Sequence, residues 1–236
     1  MRHAELVALE RLDTLSHGTK PPSGRPGLPP NLGLDRSRLV LVLVISTGDR
    51  ALSLVSGSDT VFRAPIAVES GQRLAYGGRA WTFRTPRGER PVLRKIADPV
   101  WTPPDWHYAE AASEHGLRLA SLPSGGVSIS RRRQLEIRDN AVGIRWPDGA
   151  FRGLPTEEHI VFDGALYIPP FGTRNRRLAG ALGHFALDLG DGYMIHGTSD
   201  EASIGEASTH GCIRLRNDDM AWLYENVPVG TRVVIR

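Results

Sequence analysis

Only one cysteine occurs in the 236-residue chain, Cys212, and its neighbourhood is polar: Ser208-Thr209-His210-Gly211-Cys212-Ile213-Arg214-Leu215-Arg216. A second polar knot, Ile195-His196-Gly197-Thr198, lies sixteen residues upstream. A thiol attacks as thiolate, and an adjacent imidazole or cation makes the thiolate accessible near neutral pH. One thiol with His196 and His210 is therefore the raw material of a nucleophile for acyl transfer. Gly211 allows a tight turn that can aim its own N–H and that of Cys212 at one point, the construction of an oxyanion hole. Thr209, His210 and Arg214 put polar groups where a structural cysteine would want apolar neighbours. The competing reading is a small buried hydrophobe, the ordinary state of a free cysteine.

Other chemistries fit less well. A zinc site built on this thiol would lack a second cysteine, and the His210-Gly211-Cys212 spacing is too close for a ligand pair. No G-x-S-x-G elbow is present: Gly126-x-Ser128 and Gly197-x-Ser199 both fail at the last position. No phosphate loop or dinucleotide fingerprint occurs. The residues thus offer no metal-site or nucleotide-cofactor motif.

The pattern His196-Gly197-Thr198, a loop, then Thr209-His210-Gly211-Cys212-Ile213-Arg214-Leu215 resembles the signature of the L,D-transpeptidase (YkuD-type) catalytic domain. The resemblance is strong from about Ile168 to the C-terminus and weaker from about Leu39 to Pro104. Thr209 stands where that family more often has serine, which keeps the hydroxyl. The resemblance implies a β-rich, sandwich-like domain with short helices and a peptidoglycan stem tetrapeptide as donor. Cys212 would attack the carbonyl of its third residue and D-Ala would leave. An amine acceptor would then take the thioester, giving a 3→3 cross-link, and carbapenems would acylate the same thiol. That no metal and no cofactor are needed follows from the same resemblance. Chemistry and resemblance together cast His196 as base, because it arrives on a separate strand and can face the thiol. The Gly197 carbonyl can hold its tautomer. His210 shapes the site, Gly211 and Cys212 supply the oxyanion donors, Thr209 supports them, and Arg214 pairs with a substrate carboxylate.

The elements that must position these groups are mainly strands. Twenty-six glycines and seventeen prolines indicate many turns, within an ordinary globular composition of 40% apolar and 23% charged residues. The expected fold class is mainly β with short helices (α+β): a YkuD-like β-sandwich catalytic domain over 37–236, with an insertion at about 105–155. Residues 1–36 read as a short amphipathic helix over 4–15 followed by a Gly/Pro-rich linker. Leu39–Ser46 and Ala51–Val55 form a hairpin through Thr47-Gly48-Asp49. Further strands are expected at 61–68, 81–84 and 92–96, with the turn Thr85-Pro86-Arg87-Gly88 between the last two. Asp105 caps a helix to Glu114 that Gly116 ends. Short strands at 127–129, 134–137 and 143–146 fill the insertion, with Arg131-Arg132-Arg133 as a solvated face. Tyr193-Met194-Ile195 is a short buried strand delivering His196. Asn217 caps a final helix ended by Asn226 and Val227-Pro228, and 232–235 is the last strand.

The net charge of +3 carries no basic tract with interleaved aromatics, so nucleic acid is not an expected partner. No transmembrane span and no secretory leader are legible: the longest apolar run is Leu39–Ile45, and 4–15 carries Glu5, Glu10, Arg11 and Asp13. A periplasmic or wall-associated location follows from the resemblance alone. A monomer acting on peptidoglycan stem peptides is expected. Two other readings stand beside the transferase. In one, water replaces the amine, giving an L,D-carboxypeptidase or cross-link hydrolase. In the other, the domain binds wall without catalysis, and the complete site argues against that.

Overall fold

The structure, a computed structural model, describes residues 40–236. The helix expected over 4–15, the linker and the boundary near 36 lie outside the described residues. The fold is mainly β with two short α-helices, as expected. The described chain forms two compact units. One comprises 40–73, 82–99 and 179–236, the other 74–81 and 100–178. The boundaries expected at about 105 and 155 both fall within the second of these.

The first unit is built on a five-stranded sheet in the order 59–65, 51–56, 41–46, 232–235, 88–91. Leu41–Ser46 pairs antiparallel with Ala51–Ser56 and parallel with Arg232–Ile235. It is therefore an interior strand, as its β-branched and leucine run requires. A four-stranded sheet runs 213–214, 193–196, 185–190, 94–97. Leu43, Ile45, Leu52, Leu54, Val233 and Ile235 from the first sheet share one core with Leu187, Leu189, Ile195 and Ile213 from the second. Each such side chain contributes about 1.5–3 kcal/mol by leaving water. Helix α2, Asn217–Asn226, closes this core with Met220, Trp222 and Leu223, and Trp222 stacks on Phe62 with ring centroids 4.5 Å apart.

Three expectations need correction here. The strand expected at 92–96 starts only at Arg94 and runs to Ala97, and a further strand, Gly88–Pro91, precedes it in a different sheet. Between them Val92 turns its N–H to the Thr231 carbonyl and Leu93 turns its N–H to that of Asp188, so the chain changes sheets at these two residues. The strand expected at 61–68 ends at Pro65, which has no N–H to continue the ladder, and a short strand follows at Val68–Glu69. The strand Arg73–Tyr76 was not anticipated. Its partner is Arg79–Thr82 across Gly77-Gly78, and both glycines have positive φ, as a two-residue hairpin turn requires.

The second unit contains an antiparallel meander, 127–129, 133–138, 141–145 and 151–153, close to the expected strands. A three-stranded sheet, 118–121, 165–168 and 160–162, shares its core through Ile160, Phe162, Ala165 and Tyr167. Helix α1 spans Asp105–Glu114, and Gly116, with φ +63°, follows its end. Asp105 does not cap it. Pro104 takes the cap position, and the Asp105 carboxylate instead accepts from Arg176 Nη2 at 2.5 Å and Arg79 Nη1 at 2.6 Å. Arg176 is only 2% exposed. Its Nε and Nη1 donate to the carbonyls of Pro103 and Pro169, both at 2.8 Å, and its guanidinium lies 3.8 Å from the Phe171 ring centroid.

This buried cation ties the helix start to the loop after Ile168. Arg176→Met is expected to destabilise the second unit by about 1–3 kcal/mol, because it leaves two carbonyls without their donor and the Asp105 carboxylate with Arg79 alone. Urea unfolding followed by tryptophan fluorescence measures this directly, since four of the five tryptophans lie in that unit.

Candidate active site

Strand pairing brings the expected site residues together. Tyr193–His196 runs parallel to Ile213–Arg214, with Ile195 opposite Ile213 and His196 opposite Arg214. Ile195 and Ile213 are fully buried in the core. Side chains alternate along a strand, so His196 and Arg214 project from the opposite face. Cys212 directly precedes the strand and, two residues before Arg214, shares that face. Strand spacing and rise place the Cα atoms of His196 and Cys212 about 8 Å apart on the diagonal, within reach of an imidazole and a thiol facing each other.

The segment carrying Cys212 is held from several sides. Ala67 and Arg214 exchange backbone hydrogen bonds of 2.9 and 3.0 Å, and Ser70 N–H donates to the Thr209 carbonyl at 2.9 Å. The Thr209 hydroxyl donates to the Cys212 carbonyl at 2.7 Å and accepts from Gly211 N–H at 3.3 Å. The Gly211 carbonyl accepts from the Thr85 hydroxyl at 3.0 Å. Gly211 has φ +126°, and a Cβ there would lie 3.0 Å from the Arg84 carbonyl oxygen. No other residue fits both the conformation and the space. Thr85 was read only as part of a turn. Its Thr-Pro-x-Gly context was legible, but its contact with Gly211 joins residues 126 positions apart.

His196 is buried at 4% exposure. Its Nδ1 lies 2.5 Å from the Gly197 carbonyl. A carbonyl only accepts, so Nδ1 carries the proton and Nε2 keeps its lone pair. Burial pushes the His196 pKa down to about 4; the Gly197 bond opposes this and the Arg214 charge adds to it. The ring is therefore neutral at pH 7. Cys212 is half-buried, and its Sγ lies 3.8 Å from the Gly192 carbonyl oxygen. Burial pushes its pKa up, against a backbone hydrogen bond at Met194 and the Arg214 charge. The resting pair is a neutral thiol with a neutral imidazole.

Arg214 is half-buried, and its Nη1 donates to Ser203 Oγ at 2.9 Å. Its Nε is buried without a hydrogen-bond partner. Burial lowers its pKa, while Asp200 and Cys212 raise it. His210 lies edge-on to the buried Phe83, with ring centroids 4.4 Å apart. Asn217 does not cap α2: Arg216 occupies that position, and the Asn217 side chain is spent on Thr198, as described below. Among the described residues no three His, Cys, Asp or Glu side chains gather as metal ligands, and no helix is long and apolar enough to cross a membrane.

Sheet pairing, the Gly211 turn and the buried imidazole thus set a cysteine, a histidine and an arginine on one face of a β-rich domain. The YkuD family model, the L,D-transpeptidase catalytic domain, matches residues 41–235, and the chain belongs to that family. The probable L,D-transpeptidase ErfK/SrfK of Escherichia coli K12 is 54% identical over 54 residues, which are 23% of this chain and 17% of that protein. The putative L,D-transpeptidase YkuD of Bacillus subtilis 168 is 48% identical over 63 residues, 26% of this chain and 38% of that protein. The matched stretches thus span under two fifths of these relatives. An L,D-transpeptidase from Mycobacterium smegmatis aligns over 84% of this chain and 59% of its own at 16% identity, with a TM-score of 0.43. L,D-transpeptidase 3 of Mycobacterium tuberculosis, in complex with a faropenem-derived adduct, aligns over 84% and 60% at 17% identity, also with a TM-score of 0.43.

The burial of His196 sets a pH dependence of stability. Its folded pKa, about 4, lies below the ordinary 6.5. Between these values the unfolded chain binds a proton that the native state refuses, so stability is complete above about pH 6.5 and falls as pH drops toward 4. The shift corresponds to roughly 3 kcal/mol. Urea midpoints across pH 4–7 are expected to show this slope in the wild type and a flatter one in His196→Gln.

Proposed function

We propose that the protein is a peptidoglycan L,D-transpeptidase in which Cys212 is the nucleophile and His196 the general base. The observation that carries this reading is the shared sheet face of His196, Cys212 and Arg214, with the His196 tautomer set by Gly197. As Cys212 Sγ bonds to the carbonyl carbon of the donor's third residue, His196 Nε2 takes the thiol proton. The base acts during attack, because neither a free thiolate nor an imidazolium is favoured at rest.

Negative charge develops on the carbonyl oxygen, and the N–H groups of Gly211 and Cys212 are the proposed donors to it. The present acceptor of Gly211 N–H, Thr209 Oγ1 at 3.3 Å, is distant enough to be exchanged. When the intermediate collapses, the C–N bond breaks and the imidazolium gives its proton to the D-Ala amine. The thioester is then attacked by an acceptor amine, which loses its proton to His196, and the C–S bond breaks to restore the thiol. Arg214 is the proposed partner of a substrate carboxylate through the N–H groups that Ser203 leaves available. His210 shapes the cleft from its seat on Phe83. Water in place of the amine gives the hydrolytic reading on the same thioester. A cell-wall-associated compartment accords with the family.

Cys212→Ala and Cys212→Ser are expected to abolish turnover of purified muropeptides while keeping the wild-type circular dichroism spectrum. Mass spectrometry of wild-type products separates the readings: dimers indicate transfer, tripeptide alone indicates hydrolysis. Turnover near wild type in Cys212→Ala would exclude the thioester.

The two histidines separate by rate. His196→Ala is expected to slow acylation of Cys212 by a carbapenem about 10²–10⁴-fold, whereas a folded His210→Ala keeps the ionisation that governs the reaction. The pH dependence of adduct formation, read by intact mass, distinguishes them. Loss of that ionisation in His210→Ala with its retention in His196→Ala would reverse the assignment.

A further inference from the structure

The turn that carries His196 is clamped by a side chain from the start of α2. Asn217 Nδ2 donates to the Thr198 carbonyl at 2.6 Å, and Asn217 Oδ1 accepts from Thr198 N–H at 3.1 Å. One primary amide thus satisfies both backbone groups of a single residue, as a neighbouring strand would. Thr198 is 2% exposed, so water cannot replace either bond cheaply. The packing is built around this amide: a Cβ on Gly183 or on Gly197 would each lie 2.3 Å from Asn217 Oδ1, and Gly183 also has φ +67°. The clamp is fixed at its other end, since Asn217 N–H donates to Glu201 Oε1 at 3.2 Å.

The residue between His196 and Thr198 is Gly197, whose carbonyl sets the imidazole tautomer. That carbonyl is the acceptor for Nδ1, and the peptide joining it to Thr198 N is the one whose N–H Asn217 accepts. A peptide is planar, so the orientation of the Gly197 carbonyl and of the Thr198 N–H cannot vary independently. Gly197 N–H is itself tied to the Phe185 carbonyl at 3.2 Å. Gly197, having no Cβ, is otherwise the freest point in the turn.

We infer that Asn217 is a positioning residue for the general base: by holding the Gly197–Thr198 peptide plane it aims the Gly197 carbonyl at His196 Nδ1 and leaves Nε2 free toward Cys212. The role of His196 as base rests on the function proposed above, while the control of its tautomer by Asn217 does not. The charged groups around this pair are Arg214, on the neighbouring strand, Asp200, which acts on Arg214, and Glu201, which accepts from Asn217 N–H and pairs with Arg216. Asn217→Ala adds no charge to this set, whereas Asn217→Asp adds one, so a titration shift in the alanine variant is the one that reads the peptide plane.

Two measurements on Asn217→Ala and Asn217→Asp test this. The aspartate keeps an acceptor for Thr198 N–H but sets a carboxylate oxygen against the Thr198 carbonyl. The first measurement is the ¹⁵N shifts of the His196 ring across pH, which report tautomer and protonation without reference to any substrate. Wild type is expected to hold the Nδ1–H form and stay neutral to about pH 4. In both variants the ring is expected to lose that single tautomer and to titrate closer to the ordinary histidine value. The second is the rate of Cys212 alkylation by iodoacetamide at pH 7, expected to fall about 10²-fold, the cost of displacing a reacting group by about 1 Å. Folded variants that keep the wild-type tautomer and titration would overturn the inference, as would variants of which neither folds, since Asn217 would then serve folding alone. Absence of muropeptide turnover in the wild type, with the shifts changing as expected, would sink the proposed reaction and leave the inference standing.

Discussion

The hydrogen bond between His196 Nδ1 and the Gly197 carbonyl is the interaction on which the site depends. A buried imidazole with two equivalent nitrogens has no defined direction for proton transfer. An acceptor at Nδ1 supplies one, and here the acceptor belongs to the next residue in the chain. The contact is nearly local, but its geometry is not. It requires the chain to leave the strand at His196 with the Gly197 peptide turned back on the ring. That turn needs glycine at 183 and 197, the Asn217 amide, and the Phe185 carbonyl. Three separate stretches of chain, 183–185, 196–198 and the start of α2, converge to orient one proton.

The other half of the site is governed by the sheet. Ile195 and Ile213 anchor two short parallel strands in the core, and side-chain alternation then fixes which residues face outward. A slip of one residue would turn His196 and Arg214 into the core and expose the isoleucines, so the hydrophobic core enforces the register of His196 and Arg214. The Cys212 turn is closed in the same spirit. Thr209, Thr85 and the 67–70 segment fix the backbone around Gly211, leaving the thiol as the group free to react.

Burial shapes the chemistry as well as the geometry. It disfavours charge on both His196 and Cys212, and Arg214 disfavours the imidazolium further while favouring the thiolate. A preformed ion pair is therefore not the resting state. For the reaction proposed above, proton transfer coupled to attack is the path this favours, because the charge it creates appears only when substrate atoms are present to share it. The neutral pair also leaves the thiol less open to adventitious oxidation than a thiolate would be.

Much of this was legible in the residues themselves. The lone cysteine between Gly211 and Arg214, the second histidine followed by glycine, and the β-branched runs mark the proposed nucleophile, its proposed base and the interior strands. They do so because residue type and local periodicity carry that information directly. The hairpin across Gly77-Gly78 was not read, because its strands are only four residues long. What required the tertiary structure was every contact between distant segments. Asp105 and Asn217 both look like helix caps, yet Arg176 takes the carboxylate of one and Thr198 the amide of the other. The run 92–96 looks like one strand, yet the chain changes sheets within it. In each case local preference is worth about 1 kcal/mol, and a buried partner reached across the fold outweighs it. Residue type and spacing mark the candidate reacting groups, whereas the side chains that hold them in place emerge on folding, because satisfying a buried polar group is a property of the neighbours that folding brings, not of the residue alone.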